Sequence, residues 1–210
     1  IQSRLDLDGL RGAMTQALAD LYTGRASAPA RVAVHAPQGL LAAMPGQAGG
    51  LLGAKLVSVF PENSAHGLPG HQALLALFDA GTGTPLAILD ATLLTAERTA
   101  AVSAAATGAL ARQDARVLAV LGTGVQAEAH VRAVRRVRRF SEVRLAGRNP
   151  DRVRSLAPAW NATAAAGIEA AVRGADVVCA CTHAATPVLQ RAWLKPGAHV
   201  NSVGIGGCEL

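Results

Sequence analysis

Aromatic residues make up only 3% of this 210-residue chain, and cysteine occurs three times, as Cys179, Cys181 and Cys208. An odd cysteine count without framework spacing excludes a disulfide scaffold and points to a reducing, cytoplasmic setting. Cys179-x-Cys181 alternates along an apolar stretch and reads as core filler, so no metal site is expected. No apolar run approaches the ~18 residues of a bilayer span, and no secretory leader is evident, which argues against a membrane partner. The first residue, Ile1, is not a start methionine, so the chain is expected to be cut at its N-terminus.

What is present is apolar and basic. Half the residues are hydrophobic and the formal net charge is +6. A chain of this length buries a substantial core in one or two domains. Much of the positive charge lies in "HVRAVRRVRRF", where Arg132, Arg135, Arg136 and Arg139 fall at helical spacing. The stretch reads as the solvated face of a helix. No zinc, helix-turn-helix or aromatic stacking pattern accompanies it, so nucleic acid is not an expected partner.

The most informative short stretch is "VLAVLGTGVQAEAH", residues 117–130. Val117 to Leu121 form a continuous branched apolar run, the signature of a strand buried on both faces of a parallel sheet. Gly122, Thr123 and Gly124 break the run, and Val125 and Gln126 open a helix-compatible segment. Gly122-x-Gly124-x-x-Ala127 therefore sits between a strand and a helix, the context a dinucleotide-binding loop requires. Gly122 permits the tight turn and Gly124 lets the backbone approach a pyrophosphate. The helix N-terminus supplies N–H donors and partial positive charge. The next strand, around Val143 and Leu145, ends at Gly147, Arg148 and Asn149 with no acid until Asp151. NAD-preferring sites place a carboxylate there for the ribose hydroxyls. A guanidinium matches a 2′-phosphate instead, so NADP(H) is favoured over NAD(H).

The first half has a different texture. Leu5, Leu10, Met14, Leu18 and Leu21 mark a helix over 5–23, and "TGRASAP" is a linker. Short segments follow, separated by glycine and proline: "RVAVHA", "GLLAAMP", "LGAKLVSVF", "HQALLALFDA" and "TPLAILDATLLT". The stretch "DAGTGTPLAIL" reads as a hairpin turning at Gly81–Gly83. An alanine-rich helix over 95–112 leads into the nucleotide unit. The expected class is α/β, a Rossmann-type doubly wound parallel sheet preceded by a smaller α+β domain of mostly antiparallel strands. The expected division is 1–112 for substrate binding and dimerisation and 113–210 for the dinucleotide.

The ordered succession "GAKLVSVFPEN", "GLPGHQALLALFDAGTGTPLAILDATLLTAERTAAVSAAATGALAR", "VLGTGVQAEAH" and "GADVVCACTHAATPVLQRAWLKPGAHVNSVG", with the "AAMPG" turn, resembles the ornithine cyclodeaminase/mu-crystallin family over almost the whole chain. The resemblance implies a homodimer built through the first domain, a nicotinamide cofactor, and hydride transfer at the α-carbon of a small amino or imino acid. It further implies that Arg31, Lys55 and Arg98 clamp the substrate carboxylate. Lys55 could also donate a proton if burial beside cations lowers its pKa. Otherwise Arg31 and Lys55 are strand-edge charges, and Arg98 pairs with Asp90 or Glu97. His71 lies near the pocket or is a hydrogen-bonded core histidine. Thr95, Thr99, Thr182, Val203 and Gly204 match cofactor-side positions.

Two departures matter. Ornithine cyclodeaminase proper has an acid before the Met-Pro turn for the distal amine, where this chain has Ala42. A buried ammonium without a partner is costly. The family also carries an aspartate soon after the "VG" of the fifth strand, whereas "NSVGIGGCEL" reaches only Glu209 before the sequence stops. The remaining C-terminal part, a sixth strand and closing helix, is expected to be missing. The reading is an NAD(P)-dependent oxidoreductase that reduces a small ketimine or cyclic imine, or oxidises the matching amino acid. The alternatives are ornithine cyclodeaminase itself, or a nucleotide-bound ligand-binding protein with little turnover.

Overall fold

A computed structural model describes residues 5–204 and 208–209; Ile1 lies outside them. The chain divides into two compact units between Thr95 and Ala96, residues 5–12 counting with the second. This is earlier than the expected 112, because the alanine-rich helix packs mainly in the second unit.

The first unit is an antiparallel meander. After α1 (Leu7–Tyr22) come β1 (Val32–Ala36), β2 (Gly39–Ala48), β3 (Leu51–Val59), β4 (His71–Asp79) and β5 (Pro85–Asp90), paired in chain order. The hairpin expected at Gly81–Gly83 is present, with Thr82 N–H and Gly81 N–H both donating to the Asp79 carboxylate. The "AAMPG" stretch is not a turn. Met44 and Pro45 lie inside β2, and Pro45 is tolerated because the β1 pairing has ended at Ala43.

Strand alternation sorts the two faces of this sheet. Ala42, Val57 and Ala73 are buried on one face, with Leu40, Met44, Val59, Leu75 and Leu94 packed around them. The other face carries Val32, Val34, Leu41, Leu56, Leu74 and Ile88, which the register aligns in rows such as Ala43–Leu56–Leu74. Val34 is 71% exposed and Ile88 78%.

The second unit is doubly wound. α2 (Thr92–Leu110) leads to β6 (Val117–Leu121), α3 (Val125–Val134), β7 (Glu142–Ala146), α4 (Pro150–Leu156), β8 (Thr163–Ala164), α5 (Ile168–Val172) and β9 (Val177–Ala180). A short β10 (Leu189–Gln190) precedes β11 (His199–Ser202), and β10 pairs with β12 (Cys208–Glu209). The parallel sheet runs β11-β9-β6-β7-β8, so its order reverses between β6 and β9. Ligands of such sheets bind outside the carboxyl ends of the strands at that reversal.

Both faces of this sheet are covered. Leu118, Val120, Val177 and Cys179 share one apolar cluster with Ala96, Ala100 and Ala104 of α2 and Val131 and Val134 of α3. Ala119, Leu121, Val178 and Ala180 meet α5 and Leu189 on the other. Small alanines let α2 lie close to the strands. Its start, three residues earlier than expected, is set by Asp90, whose carboxylate accepts the Thr92 N–H at 2.8 Å.

Polar staples close the unit. The Asp176 carboxylate accepts Arg116 N–H at 2.8 Å, Val117 N–H at 2.9 Å and Lys195 Nζ at 2.6 Å, and is bonded by Arg112 as well. Burial pushes its pKa up, but Lys195 and the two amides outweigh that and hold it well below the usual carboxylate range. His130, fully buried on α3, lies 2.7 Å from the Gln126 carbonyl and 2.9 Å from Ser103 Oγ of α2. The carbonyl can only accept, so Nδ1 carries the proton and Nε2 accepts from Ser103. Burial lowers the His130 pKa, so the ring is neutral.

The arginine run is not a helix face. α3 ends at Val134, and only Arg132 of the four lies on it. Arg132 bonds Glu128 at 3.2 Å and the buried Glu97 of α2. Arg135 donates to the Trp160 and Asn161 carbonyls, and Arg136 pairs with Asp8. Val137 packs under the loop, which ends the helical spacing. No described helix is long and apolar enough to cross a membrane.

Candidate dinucleotide site and substrate residues

The carboxyl ends of β6, β7, β9 and β11 bring the glycine loop and three distant segments together. Gly122 has φ +122°, and a Cβ on it would lie 2.8 Å from the Cys181 carbonyl oxygen. Its N–H donates to the Ala146 carbonyl at 2.8 Å, fixing the loop to the end of β7. Gly204 is under a tighter constraint. A Cβ there would fall 1.7 Å from the Thr182 carbonyl oxygen. The Val203 and Gly204 N–H groups both donate to the Ala180 carbonyl, at 3.1 and 3.3 Å. Thr182, Val203 and Gly204, as expected from the sequence, thus stand at the sheet edge that carries Gly122, Thr123 and Gly124.

Gly124 is different, because nothing lies within 4 Å of where its Cβ would be. Its φ of −99° is open to any residue. Neither backbone strain nor internal packing requires glycine at this position. A Cβ here would instead project into the space a ligand needs to approach the backbone. Gly124 also provides no side-chain cap for α3, so the first N–H groups of a ten-residue helix are left to an external acceptor. Val125 is 66% exposed beside it, whereas Ala127 is fully buried against the strands. The Gln126 side-chain oxygen is buried and has no hydrogen-bond partner. The open backbone at Gly124 and the uncapped helix N–H groups fit a bound dinucleotide pyrophosphate, whereas the Gln126 oxygen, an acceptor, calls for a donor instead.

At the end of β7, Gly147 packs on Thr123, a Cβ falling 3.2 Å from its Cγ2. Arg148 is exposed and forms no ion pair among the described residues. Asn149 has a structural task that the sequence reading missed. Its side chain accepts the Arg152 N–H at 3.1 Å and caps α4, with Pro150 opening the helix.

The substrate candidates divide between the units. Lys55 is half-buried on β3, opposite Met44 and Leu75 and on the covered face of the antiparallel sheet. Arg31 is exposed and directly precedes β1; alternation from Ala33 puts it on the same face. Two strand spacings, about 10 Å, separate its backbone from Lys55. His71 opens β4 on that face too, four residues along from Leu75 and thus about 13 Å away. It is exposed, so the core-histidine alternative is wrong. Arg98 is half-buried in the second turn of α2, in the other unit. Of the two carboxylates beside it in sequence, Glu97 pairs with Arg132 and Asp90 accepts the Thr92 N–H. Thr95 and Thr99 are half-buried on the same helix, and the Thr95 hydroxyl donates to the Ala91 carbonyl at 2.7 Å.

Ala42 is 3% exposed among Val57, Ala73 and Ala91, so an acid in its place would have to displace the small core of this sheet. Glu209 is exposed and paired through β12 with Gln190. Burial pushes the Cys179 thiol up to about 12 and Cys181 well above its ordinary value, so neither is a thiolate nucleophile. No group of three or more histidine, cysteine or acidic residues among the described residues could hold a metal ion.

A family model described as the ornithine cyclodeaminase/mu-crystallin family matches residues 1–209. The ketimine reductase mu-crystallin of Rattus norvegicus is 39% identical over 177 residues, covering 82% of this chain and 56% of that protein. The chain spans roughly half to two thirds of the length of the curated relatives it matches. Among solved structures, the Thermococcus litoralis Δ1-pyrroline-2-carboxylate reductase, in complex with NADH and L-proline, is 31% identical with a TM-score of 0.89. It aligns with 98% of this chain and 68% of its own. An archaeal alanine dehydrogenase dimer with bound NAD is 32% identical with a TM-score of 0.91, over 100% of this chain and 67% of that one.

Proposed function

The chain belongs to the ornithine cyclodeaminase/mu-crystallin family, and on that premise we propose that it is part of an NAD(P)-dependent oxidoreductase of small α-imino and α-amino acids. The favoured direction is reduction of a ketimine or cyclic imine. The observation that carries this reading is the convergence of Gly122, Gly124, Thr182 and Gly204 at the point where the parallel strand order reverses.

A bound nicotinamide would supply the hydride. The phosphates fall to the loop from Gly122 to Gln126, and Thr95, Thr99, Thr182, Val203 and Gly204 border the rest of the cofactor. Arg31 and Arg98 hold the substrate carboxylate, because a guanidinium fork matches a carboxylate in charge and geometry. Lys55 completes the clamp and donates a proton to the substrate nitrogen, with His71 at the rim. A clamp of this kind sets the distance and angle at the α-carbon. It supports this assignment that Lys55 and Arg31 share the covered face of their sheet.

Two finer points belong to the same proposal. Arg148, exposed at the strand end where an acid would contact a ribose, favours NADP(H). The exposed face of Val34, Leu41, Leu56, Leu74 and Ile88 is covered by a second copy of the chain, giving a homodimer. Buried Ala42 disfavours a diamino acid, so ornithine cyclodeamination is the weaker reading.

The test is NADPH oxidation by five- and six-membered cyclic imino acids carrying a carboxylate on the imine carbon. Turnover with these and none with L-ornithine is expected. Binding of NADPH without turnover of any imino acid would establish the ligand-binding alternative instead.

A further inference from the structure

At the amino ends of the parallel strands, Gln113, Arg116, Arg135, Arg136, Arg138 and Arg139 line a single polar pocket. Arg116 directly precedes β6 and Gly122 directly follows it, so about 20 Å of strand separates this pocket from the glycine loop. The proposed oxidoreductase chemistry makes no use of it.

The charges here are not balanced. Asp8 neutralises Arg136, and Asp6 adds a weaker attraction to the same guanidinium. Arg116, Arg135, Arg138 and Arg139 form no ion pair among the described residues. Their hydrogen bonds run to backbone carbonyls: Arg135 to Trp160 at 2.7 Å and Asn161 at 2.6 Å, Arg116 to Arg139 at 3.3 Å, and Arg138, whose donors are nearly all committed, to Arg112 at 3.2 Å, Val137 at 2.8 Å, Gly108 at 3.0 Å and Ala111 at 2.9 Å. A carbonyl accepts an N–H but does not neutralise a full charge. The carboxylates nearest in sequence are used elsewhere, Asp114 by Arg112 at 3.5 Å and Glu142 by Arg144 at 2.8 Å. The C-terminus of α3 offsets only about half a charge.

Holding like charges together in one concavity is unfavourable without a counter-charge. The carbonyl bonds also fix Arg135 and Arg138 in place, which lowers the ordering cost of binding. A guanidinium has five N–H donors. Arg116 commits one and Arg135 two to the bonds above, so most of their donors remain for a ligand. Burial opposes the charged form of Arg135, which an incoming anion would relieve.

We propose that this pocket is a second anion site, taking a small phosphorylated molecule with two or more negative charges. The arginines surround a pocket rather than forming a stripe, and no aromatic side chain lines it for base stacking. These features favour a compact polyphosphate over a nucleic acid.

The probe is inorganic pyrophosphate, titrated calorimetrically into the NADPH-saturated protein so that the glycine loop is already filled. Arg139→Glu and Arg116→Ser change exposed side chains that hold no carboxylate. One saturable site per chain is expected in the wild type. Each variant should weaken it by about tenfold or more, with the melting temperature and NADPH affinity unchanged. No saturable binding at millimolar pyrophosphate would overturn the proposal. So would equal binding by Arg139→Glu, several weak sites per chain, or a short single-stranded oligonucleotide binding more tightly than pyrophosphate. If NADPH itself failed to bind, the wild-type and variant titrations would still differ at this pocket, so failure of the cofactor reading is seen separately.

Discussion

The two five-stranded sheets among the described residues bury their apolar faces differently. In the parallel sheet, Leu118, Val120, Val177 and Val178 are fully buried, because α2, α3, α4 and α5 lie over its two faces. In the antiparallel sheet only the face around Ala42, Val57 and Ala73 is closed. Antiparallel sheets can leave one face in water, and that face is then usually polar. Here it carries valine, leucine and isoleucine. The parallel unit is thus completed by its own helices, whereas the antiparallel unit presents a surface suited to assembly. The division also separates the proposed chemistry, with the cofactor groups largely on the finished unit and Lys55 and Arg31 on the other.

The sharpest way to break this comparison is at Lys55. Lys55→Ala should lower kcat by about 10²–10⁴-fold, the usual worth of a positioned proton donor. Arg98→Ala should mainly raise KM. Neither should change NADPH affinity, since the phosphates are assigned to the loop from Gly122 to Gln126. Steady-state kinetics with a cyclic imino acid, alongside NADPH titration, separates the two effects. Full turnover by Lys55→Ala would remove the proton-donor role.

In the finished unit, Asp176→Ala should cost about 3 kcal/mol, because it strands the part-buried Arg116 and Val117 amides and unpairs Lys195. Denaturant unfolding reads this directly. The native carboxyl pKa is lowered, so its contribution is present above pH ~4, the ordinary aspartate value, and is lost as pH falls below it. A loss under 1 kcal/mol would make Asp176 an ordinary surface ion pair.

On the open face, the double change Val34→Glu and Ile88→Glu should raise the dimer dissociation constant by about a hundredfold or more while leaving each unit folded. Sedimentation and circular dichroism test this together. A wild-type monomer at micromolar concentration would remove the assembly reading.

Arg148→Ala should reduce the preference for NADPH over NADH by about 10–100-fold, the worth of roughly 1.5–3 kcal/mol for a charged hydrogen bond. Fluorescence titration of both cofactors decides it, and a preference unchanged by the substitution would place the selectivity elsewhere.

The smallest effect is expected at His130. Its native pKa lies below the ordinary histidine value, so the neutral ring's contribution is complete above pH ~6.5 and declines as pH falls below that value. His130→Gln should flatten the fall in melting temperature between about pH 6.5 and 5. An unchanged pH profile would assign that fall to other groups.

Much of the fold was legible because it depends on local pattern. The apolar run at Val117–Leu121, the glycine break and the following helix appear where expected, as do the five antiparallel strands and the turn after Asp79. The arginine run was misread, because helical spacing alone does not reveal where a helix stops. Val137 packs against the core, and the Arg135 guanidinium finds the carbonyls of Trp160 and Asn161, which are close only in the folded chain. Pro45 looked like a turn because the end of the β1 pairing, which leaves its missing N–H without consequence, cannot be seen locally. The staples at Asp176, His130 and Glu97 were missed for a similar reason. Each is a single polar residue whose partner lies tens of positions away or on a neighbouring helix.

The sequence by itself determined the family, the order of the strands and helices, and the glycine loop, since resemblance and periodicity are properties of consecutive residues. Tertiary structure alone decided that Gly204 backs onto Thr182 beside Gly122, that Lys55 and Arg31 share one covered face, and that four arginines without carboxylates meet in one pocket. These are relations between backbone segments brought together by sheet pairing and packing, and no local pattern encodes the distance between residues far apart in the chain.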